Sequence, residues 1–193
     1  MTRVGNKFLR LAGLCAMLAP LPLLAGDVMQ VVGGFGFEWT LALWLSFVLF
    51  VPAVFGVAYL VARSGSRLGL WGGAAAFVGC MAGASMQVLF RVWAVLDEAG
   101  SPETIGLLQG SRKLIVSTQM IGILFPLGLL LLAASIYRSR AASPLVALLL
   151  AAGAILFPVG RIIGVTFALL GSDVLLLAAF IMIGGRLLSA RAD

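Results

Sequence analysis

The chain has no histidine and few charged residues: thirteen lysines and arginines and seven aspartates and glutamates among 193 residues. Without histidine there is no bis-histidine haem ligation, no histidine-based zinc or copper site and no histidine general base. Charged residues make up 10% of the chain, against about 25% in a soluble domain. So few charges cannot solvate a soluble protein of this size, which excludes a cytosolic enzyme, a disordered chain and a soluble nucleic-acid-binding protein.

Cysteine is almost as scarce as histidine. Cys15 and Cys80 lie in separate apolar segments without a CxxC spacing, which argues against disulfide oxidation chemistry and against a thiolate metal site. Both are expected to be small buried residues. The sequence also contains no P-loop, nucleophile elbow or metal-ligand cluster. It therefore predicts a protein with no cofactor and no metal that is not an enzyme.

Long apolar runs dominate what is present, since 62% of the residues are hydrophobic. A bilayer core about 30 Å thick is crossed by about 20 helical residues, and helices satisfy their own backbone hydrogen bonds in lipid. We predict an all-α, polytopic helix bundle that forms a single integral membrane domain. Its six transmembrane helices are expected near residues 9–29, 39–62, 68–95, 114–137, 143–169 and 173–189.

The first apolar run has two interpretations. It follows basic residues, as a cleaved signal peptide would, but Leu24 occupies a position where cleavage needs a small residue, and Pro20 and Pro22 lie inside the run. We therefore expect it to be retained as the first transmembrane helix.

The distribution of charge predicts the orientation. With the N-terminus inside, nine of the thirteen bases flank cytoplasmic helix ends, and six of the seven acids fall outside. The bias in bases sets orientation in membrane proteins, so we predict that both termini are cytoplasmic. Frequent arginine, alanine, glycine and leucine are typical of a high-GC bacterium, which indicates the bacterial inner membrane.

Polar side chains within the predicted spans concentrate in one layer near the outer face. An arginine at the bilayer centre costs about 2.5–3.5 kcal/mol, so their presence requires an explanation. One hypothesis is an outward-facing pocket in which Arg91 and Arg161 hold an anionic group, such as a lipid headgroup, a carboxylate or a phosphate, while Gln87 and Gln119 orient it.

The alternative hypothesis is structural. The two arginines would extend to the outer interface, or they would pair with Glu38 and Asp173 as a clamp. These two acids, like Asp27, are predicted near the outer mouths of their helices. The pocket requires both arginines to face one side of the bundle.

Small residues predict where helices pack closely. Gly79 and Gly83 on the third predicted helix, and Gly160 and Gly164 on the fifth, have the small-xxx-small spacing that allows backbones to approach. We therefore expect the third helix to be central. The same spacing is also typical of contacts with a protein partner or a second copy of the chain.

Three predicted helices contain a proline near mid-membrane: Pro52, Pro126 and Pro158. A proline removes one helical hydrogen bond and displaces the carbonyl four residues earlier, so each predicts a kink. Kinked helices can line a substrate path in transporters, although many such kinks are only structural.

Three functions are compatible with these patterns. The first is binding or transport of a small anionic or amphipathic molecule or a lipid, indicated by the outer polar layer. The second is a non-catalytic membrane subunit or assembly factor, indicated by the small-residue stripe and short loops. The third is a lipid-modifying enzyme that uses Glu38, Asp173 or the Asp97–Glu98 pair, although adjacent residues point to different sides of a helix.

Several segments resemble a loosely defined set of uncharacterised six-helix bacterial inner-membrane proteins. They are Leu11-Ala12-Gly13 before a proline-containing helix, the run from Gly122 to Gly128 with Tyr137-Arg138 further on, and Ser172 to Leu176. The resemblance implies a six-helix architecture and no particular chemistry.

Overall fold

The fold is a bundle of helices. In this computed structural model, residues 3–33, 37–116 and 120–190 are described, and every regular element among them is a helix. The helices are α1 (Arg3–Leu18), α2 (Pro20–Gly33), α3 (Phe37–Ala62), α4 (Arg67–Glu98), α5 (Pro102–Gln109), α6 (Arg112–Ile115), α7 (Leu124–Ser139), α8 (Pro144–Ile163) and α9 (Thr166–Ser189). The all-α prediction is therefore confirmed for the described residues.

Among the described residues, five helical stretches are long and apolar enough to cross a membrane. They are Gly5–Gly33, which comprises most of α1 and all of α2, together with α3, α4, α8 and α9. The fourth predicted span, 114–137, corresponds to the shorter α7, which has 16 residues. At a rise of 1.5 Å per residue it is about 24 Å long, less than the bilayer core of about 30 Å.

The long helices form a closed ring in chain order. Each contacts the next, and α9 returns to contact α1 and α2. The most widely connected helix is α3, which touches α1, α2, α4, α7 and α9, whereas α4 packs on α3, α7 and α5. The expectation that the third span, α4, would be central is therefore wrong.

The core of the ring is aromatic. Phe50 of α3 is fully buried, with its ring centroid 5.2 Å from that of Phe125 on α7 and 5.0 Å from that of Phe180 on α9. Phe125 also meets Phe157 of α8 at 5.2 Å. Tilted and edge-to-face aromatic pairs at these separations are favourable beyond the area that they bury, so these contacts hold α3, α7, α8 and α9 together at the centre.

The turn between the last two helices differs from the prediction. The polar Gly171–Asp173 segment suggested a break there, but α8 ends at Ile163, and Gly164 takes the left-handed conformation with a φ of 79°. Glycine adopts this conformation without the steric cost that a Cβ brings. Since α9 begins at Thr166, Asp173 lies two turns inside the helix and not at its mouth. We call the end of the bundle that contains Gly164 and Val165 the turn end.

Most of the predicted small-residue contacts form within the chain. A Cβ at Gly79 would overlap the backbone of Phe125, one at Gly83 would overlap the ring of Phe47, and one at Gly160 would overlap the backbone of Leu169. Gly164 is the exception, because a Cβ there meets nothing within 4 Å. Its glycine is required by the positive φ of the turn, so its assignment to helix packing is wrong.

The three prolines occupy different positions. Pro52 and Pro158 lie inside α3 and α8, as predicted. Pro126 is the third residue of α7, in its first turn and not at mid-helix. A proline is tolerated at the start of a helix, where N–H groups lack helical partners in any case.

Candidate functional site

A cavity of about 840 Å³ occupies the half of the bundle nearest the turn end. Its walls come from α2, α3, α4, α8, α9, the first turn of α7 and the segment that leads into α7. The wall is mostly apolar and includes Trp39, Phe47, Phe90 and Phe157. The exposed lining residues Val31, Met120, Gly164 and Thr166 indicate that the cavity opens toward this end. Cavities of about 300–1,000 Å³ with apolar walls and few polar groups are typical of small-molecule sites.

Arg161 lies on the cavity wall and binds two carboxylates. Its Nη2 donates to Oδ2 of Asp27 on α2 and to Oδ1 of Asp173 on α9, the latter at 2.9 Å. Its Nη1 donates to the hydroxyl of Ser172 at 3.3 Å, and that hydroxyl donates to the carbonyl of Leu169 at 2.7 Å. This arginine cluster, Asp27, Arg161, Ser172 and Asp173, joins three helices.

Local structure holds the guanidinium in place. Phe157 precedes Arg161 by one helical turn, and the arginine Cζ lies 3.8 Å from the centre of its ring, a favourable cation–π separation. Arg161 is in the last turn of α8, where the helix dipole favours a positive charge. The close contact of Gly160 with Leu169 brings α9 against this turn.

The arginine cluster places two carboxyl groups on one guanidinium. Asp27 is 1% exposed and Asp173 is 0% exposed, so neither is solvated by bulk water. One oxygen of Asp173, Oδ2, is buried without a hydrogen-bond partner. A buried oxygen without a partner is costly, so a further hydrogen-bond donor beside this cluster would be favourable.

The sequence indicated only part of this cluster. Asp173 appeared there as a clamp partner for an arginine, and that pair forms. Asp27 was missed as a partner, because 134 positions separate it from Arg161. It was also expected near the mouth of its helix, whereas it is fully buried. The signal that was available is that Asp27 is the only acid within the first apolar run.

Gln87 contributes a second polar group to the cavity. It lies on α4, lines the cavity and is 6% exposed, and its Oε1 is buried with no hydrogen-bond partner. An amide oxygen that has lost its water without gaining another partner destabilises the protein. Such a group is expected where a ligand supplies the missing donor.

Arg91 lies outside the cavity and binds the first turns of α3. Its Nε and Nη2 donate to the hydroxyl and the carbonyl of Thr40, both at 3.2 Å, and its Cζ lies 5.3 Å from the Phe37 ring and 5.8 Å from the Trp44 ring. These partners belong to the first turns of α3, and Arg91 is not among the cavity-lining residues. In the described part of the chain, the shared pocket predicted for Arg91 and Arg161 does not form.

The remaining predicted site residues lie outside the cavity or outside the described ranges. Glu38 is exposed in the first turn of α3, and among the described residues it contacts neither arginine. Gln119 lies outside the described residues, so its predicted role stays a prediction.

In the described residues, the fold and the cavity define an α-helical bundle with five helical stretches that are compatible with a multi-pass transmembrane protein. Comparisons with known protein families, with curated proteins and with solved structures find nothing similar to this chain.

Proposed function

We propose that this protein is a six-span protein of the bacterial inner membrane that binds a small amphipathic molecule in the cavity at the turn end. The observation that carries the proposal is the combination of a largely apolar cavity with the buried side chains of Gln87 and Asp27 and the half-buried guanidinium of Arg161 on its wall. An apolar body would fill the aromatic part, and a polar group would meet these side chains.

The geometry favours an amphipathic ligand over a simple anion. Arg161 already binds two carboxyl groups and a hydroxyl, so an incoming anion would compete with both acids for the guanidinium. Arg91, which was expected to share the anion, lies outside the cavity.

The assembly and enzyme hypotheses have less support. Gly79, Gly83 and Gly160 pack against other helices of the same chain, so they are not available to a partner. Of the acids considered for catalysis, Glu38, Asp97 and Glu98 are exposed and absent from the cavity wall.

The six-span topology predicts the location of each loop. With α7 and the residues before it as the fourth span, both termini are cytoplasmic and the turn end faces outward, consistent with the distribution of bases. Alkaline phosphatase fused after Ser101 is expected to be active, and the same enzyme fused after Ser64 or at the C-terminus is expected to be inactive. An active C-terminal fusion together with an active one at Ser101 would indicate an odd number of spans and contradict the proposal.

A cavity-filling variant tests ligand binding directly. Gly122 lines the cavity, and a Cβ there would meet nothing within 4 Å, so Gly122→Leu is expected to fill the site without displacing a helix. Gly185→Leu is the matched control, because Gly185 also has nothing within 4 Å and does not line the cavity. Mass spectrometry of protein purified in mild detergent should find a molecule of defined mass with the wild type and with Gly185→Leu. At least about a tenfold loss is expected with Gly122→Leu.

If nothing copurifies with the wild type, or if Gly122→Leu retains the same molecule in the same amount, binding in this cavity is wrong. The yield and thermal stability of both leucine variants serve as the check on folding.

A further inference from the structure

We infer that the cavity recognises its ligand through a protonated amine. This inference rests on the proposed binding function and specifies the chemistry of the polar group. It follows from three properties of the cavity wall: the unpartnered oxygen of Gln87, the carboxyl group of Asp27 and the aromatic surface.

The wall carries a hydrogen-bond acceptor that lacks a partner. Oε1 of Gln87 is buried without a hydrogen bond. Gly122 lines the same cavity, and its carbonyl cannot receive the usual helical hydrogen bond from residue 126, because Pro126 has no N–H. A ligand that donates hydrogen bonds would satisfy the Gln87 oxygen, and an ammonium group carries only donors.

The carboxyl group of Asp27 favours the same ligand. Asp27 lines the cavity and shares Arg161 with Asp173, so two buried carboxyl groups have one half-buried guanidinium between them. A second cation beside Asp27 would stabilise its carboxylate, and removing both groups from water makes that attraction stronger than in solvent.

The aromatic surface of the cavity suits the apolar body to which the amine is attached. Trp39, Phe47 and Phe90 line the cavity, and their faces attract cations as well as apolar groups. Phe157 already carries the guanidinium of Arg161, which shows that a cation sits on an aromatic face at this wall. A volume of about 840 Å³ greatly exceeds that of an ammonium group alone, so the amine is attached to an apolar body.

The experiment uses three probes of one shape and different charge: 4-phenylbutylamine, 4-phenylbutan-1-ol and 4-phenylbutyrate. Calorimetry at pH 7 on the full chain in dodecyl maltoside measures the affinity for each, and Gly122→Leu and Gly185→Leu are measured in parallel. We expect the amine to bind at least tenfold more tightly than the acid, with the alcohol between them, and Gly122→Leu to bind none.

Two variants separate the contributions of charge and hydrogen bonding. Gln87→Leu should weaken the binding of the amine about fivefold or more. The thermal stability should stay equal or rise, because a leucine of similar size removes an unsatisfied buried oxygen. Asp27→Asn should reduce the preference for the amine over the alcohol, since it removes the carboxyl group that lines the cavity. Arg91 does not line the cavity, so Arg91→Gln should change neither the affinity for the amine nor the affinity for the alcohol.

The amine can belong to a soluble compound or to a lipid headgroup, and a second arm distinguishes the two. In nanodiscs of phosphatidylcholine with added phosphatidylethanolamine, native mass spectrometry should find bound phosphatidylethanolamine that Gln87→Leu reduces if the source is a lipid. If the natural ligand is a soluble amine, the protein should bind 4-phenylbutylamine, and no bound phosphatidylethanolamine should be found.

Equal binding of the three probes, or tighter binding of the acid, would overturn the amine inference. If that happens while Gly122→Leu still abolishes binding, the cavity function stands without the amine. If no probe binds to the wild type, the amine inference fails, and the copurification result then decides whether the cavity function fails with it.

Discussion

Replacing Arg161 by methionine is expected to destabilise the bundle by about 3–5 kcal/mol, because it leaves two buried carboxylates without their cation. Asp27 and Asp173 are on different helices, α2 and α9, and are almost completely buried. The loss should appear as a large fall in the temperature at which Cys15 and Cys80, both buried, become reactive toward a maleimide dye in detergent.

Two control variants test whether the loss of stability comes from the ion pairs of Arg161. Arg91→Met removes an arginine of the same type whose partners are the hydroxyl and carbonyl of Thr40 and two aromatic rings. Since no buried carboxylate depends on it, the expected loss is about 1 kcal/mol. Adding Asp27→Asn and Asp173→Asn to Arg161→Met should recover most of the lost stability. Similar losses from the two single arginine variants, or no recovery in the triple variant, would show that the ion pairs of Arg161 do not hold α2 to α8 and α9.

The second large effect is expected where α4 crosses α7. A Cβ at Gly79 would overlap the backbone N and Cα of Phe125, and a Cβ at Gly128 would overlap the backbone of Ala76. Neither obstacle is the flexible end of a side chain, so each helix would have to move away from the other. Gly79→Ala and Gly128→Ala are therefore each expected to cost about 3 kcal/mol, at the upper end of the range for overpacked cores.

Gly185→Ala makes the same chemical change in a helix where nothing lies within 4 Å of the new Cβ. Alanine favours a helix over glycine by about 1 kcal/mol, so this control should be neutral or more stable than the wild type. The same maleimide assay compares the three variants. If Gly79→Ala is as stable as Gly185→Ala, the close contact between α4 and α7 is not required for the fold.

Much of the architecture follows from local properties of the sequence. The length of the apolar runs predicted helices because lipid leaves backbone groups no other partners, and five of the runs correspond to helices able to span a membrane. The spacing of Gly79 and Gly83 predicted close packing, which depends only on the absence of side chains on one helix face. The pair of Arg161 with Asp173 could be anticipated because the two residues are 12 positions apart on neighbouring helices.

Other features depend on which helices become neighbours. The break after the fifth span was misplaced, because hydropathy detects polar residues such as Ser172 and Asp173 but not the positive φ at Gly164. Gln87 and Arg91 are one turn apart on α4, yet one faces the cavity and the other binds Thr40 of α3. The rotation of α4 decides this, and that rotation is set by its glycine contacts with α3 and α7.

By itself, the sequence determined that the chain is helical, apolar and without histidine, because each of these properties is local to a residue or a run. Only the tertiary structure decided that Asp27 meets Arg161 across 134 positions, since closing the ring of helices places α2 beside α9. That closure pairs an arginine that was expected to bind anions, and it leaves a cavity with the unpartnered amide oxygen of Gln87 on its wall.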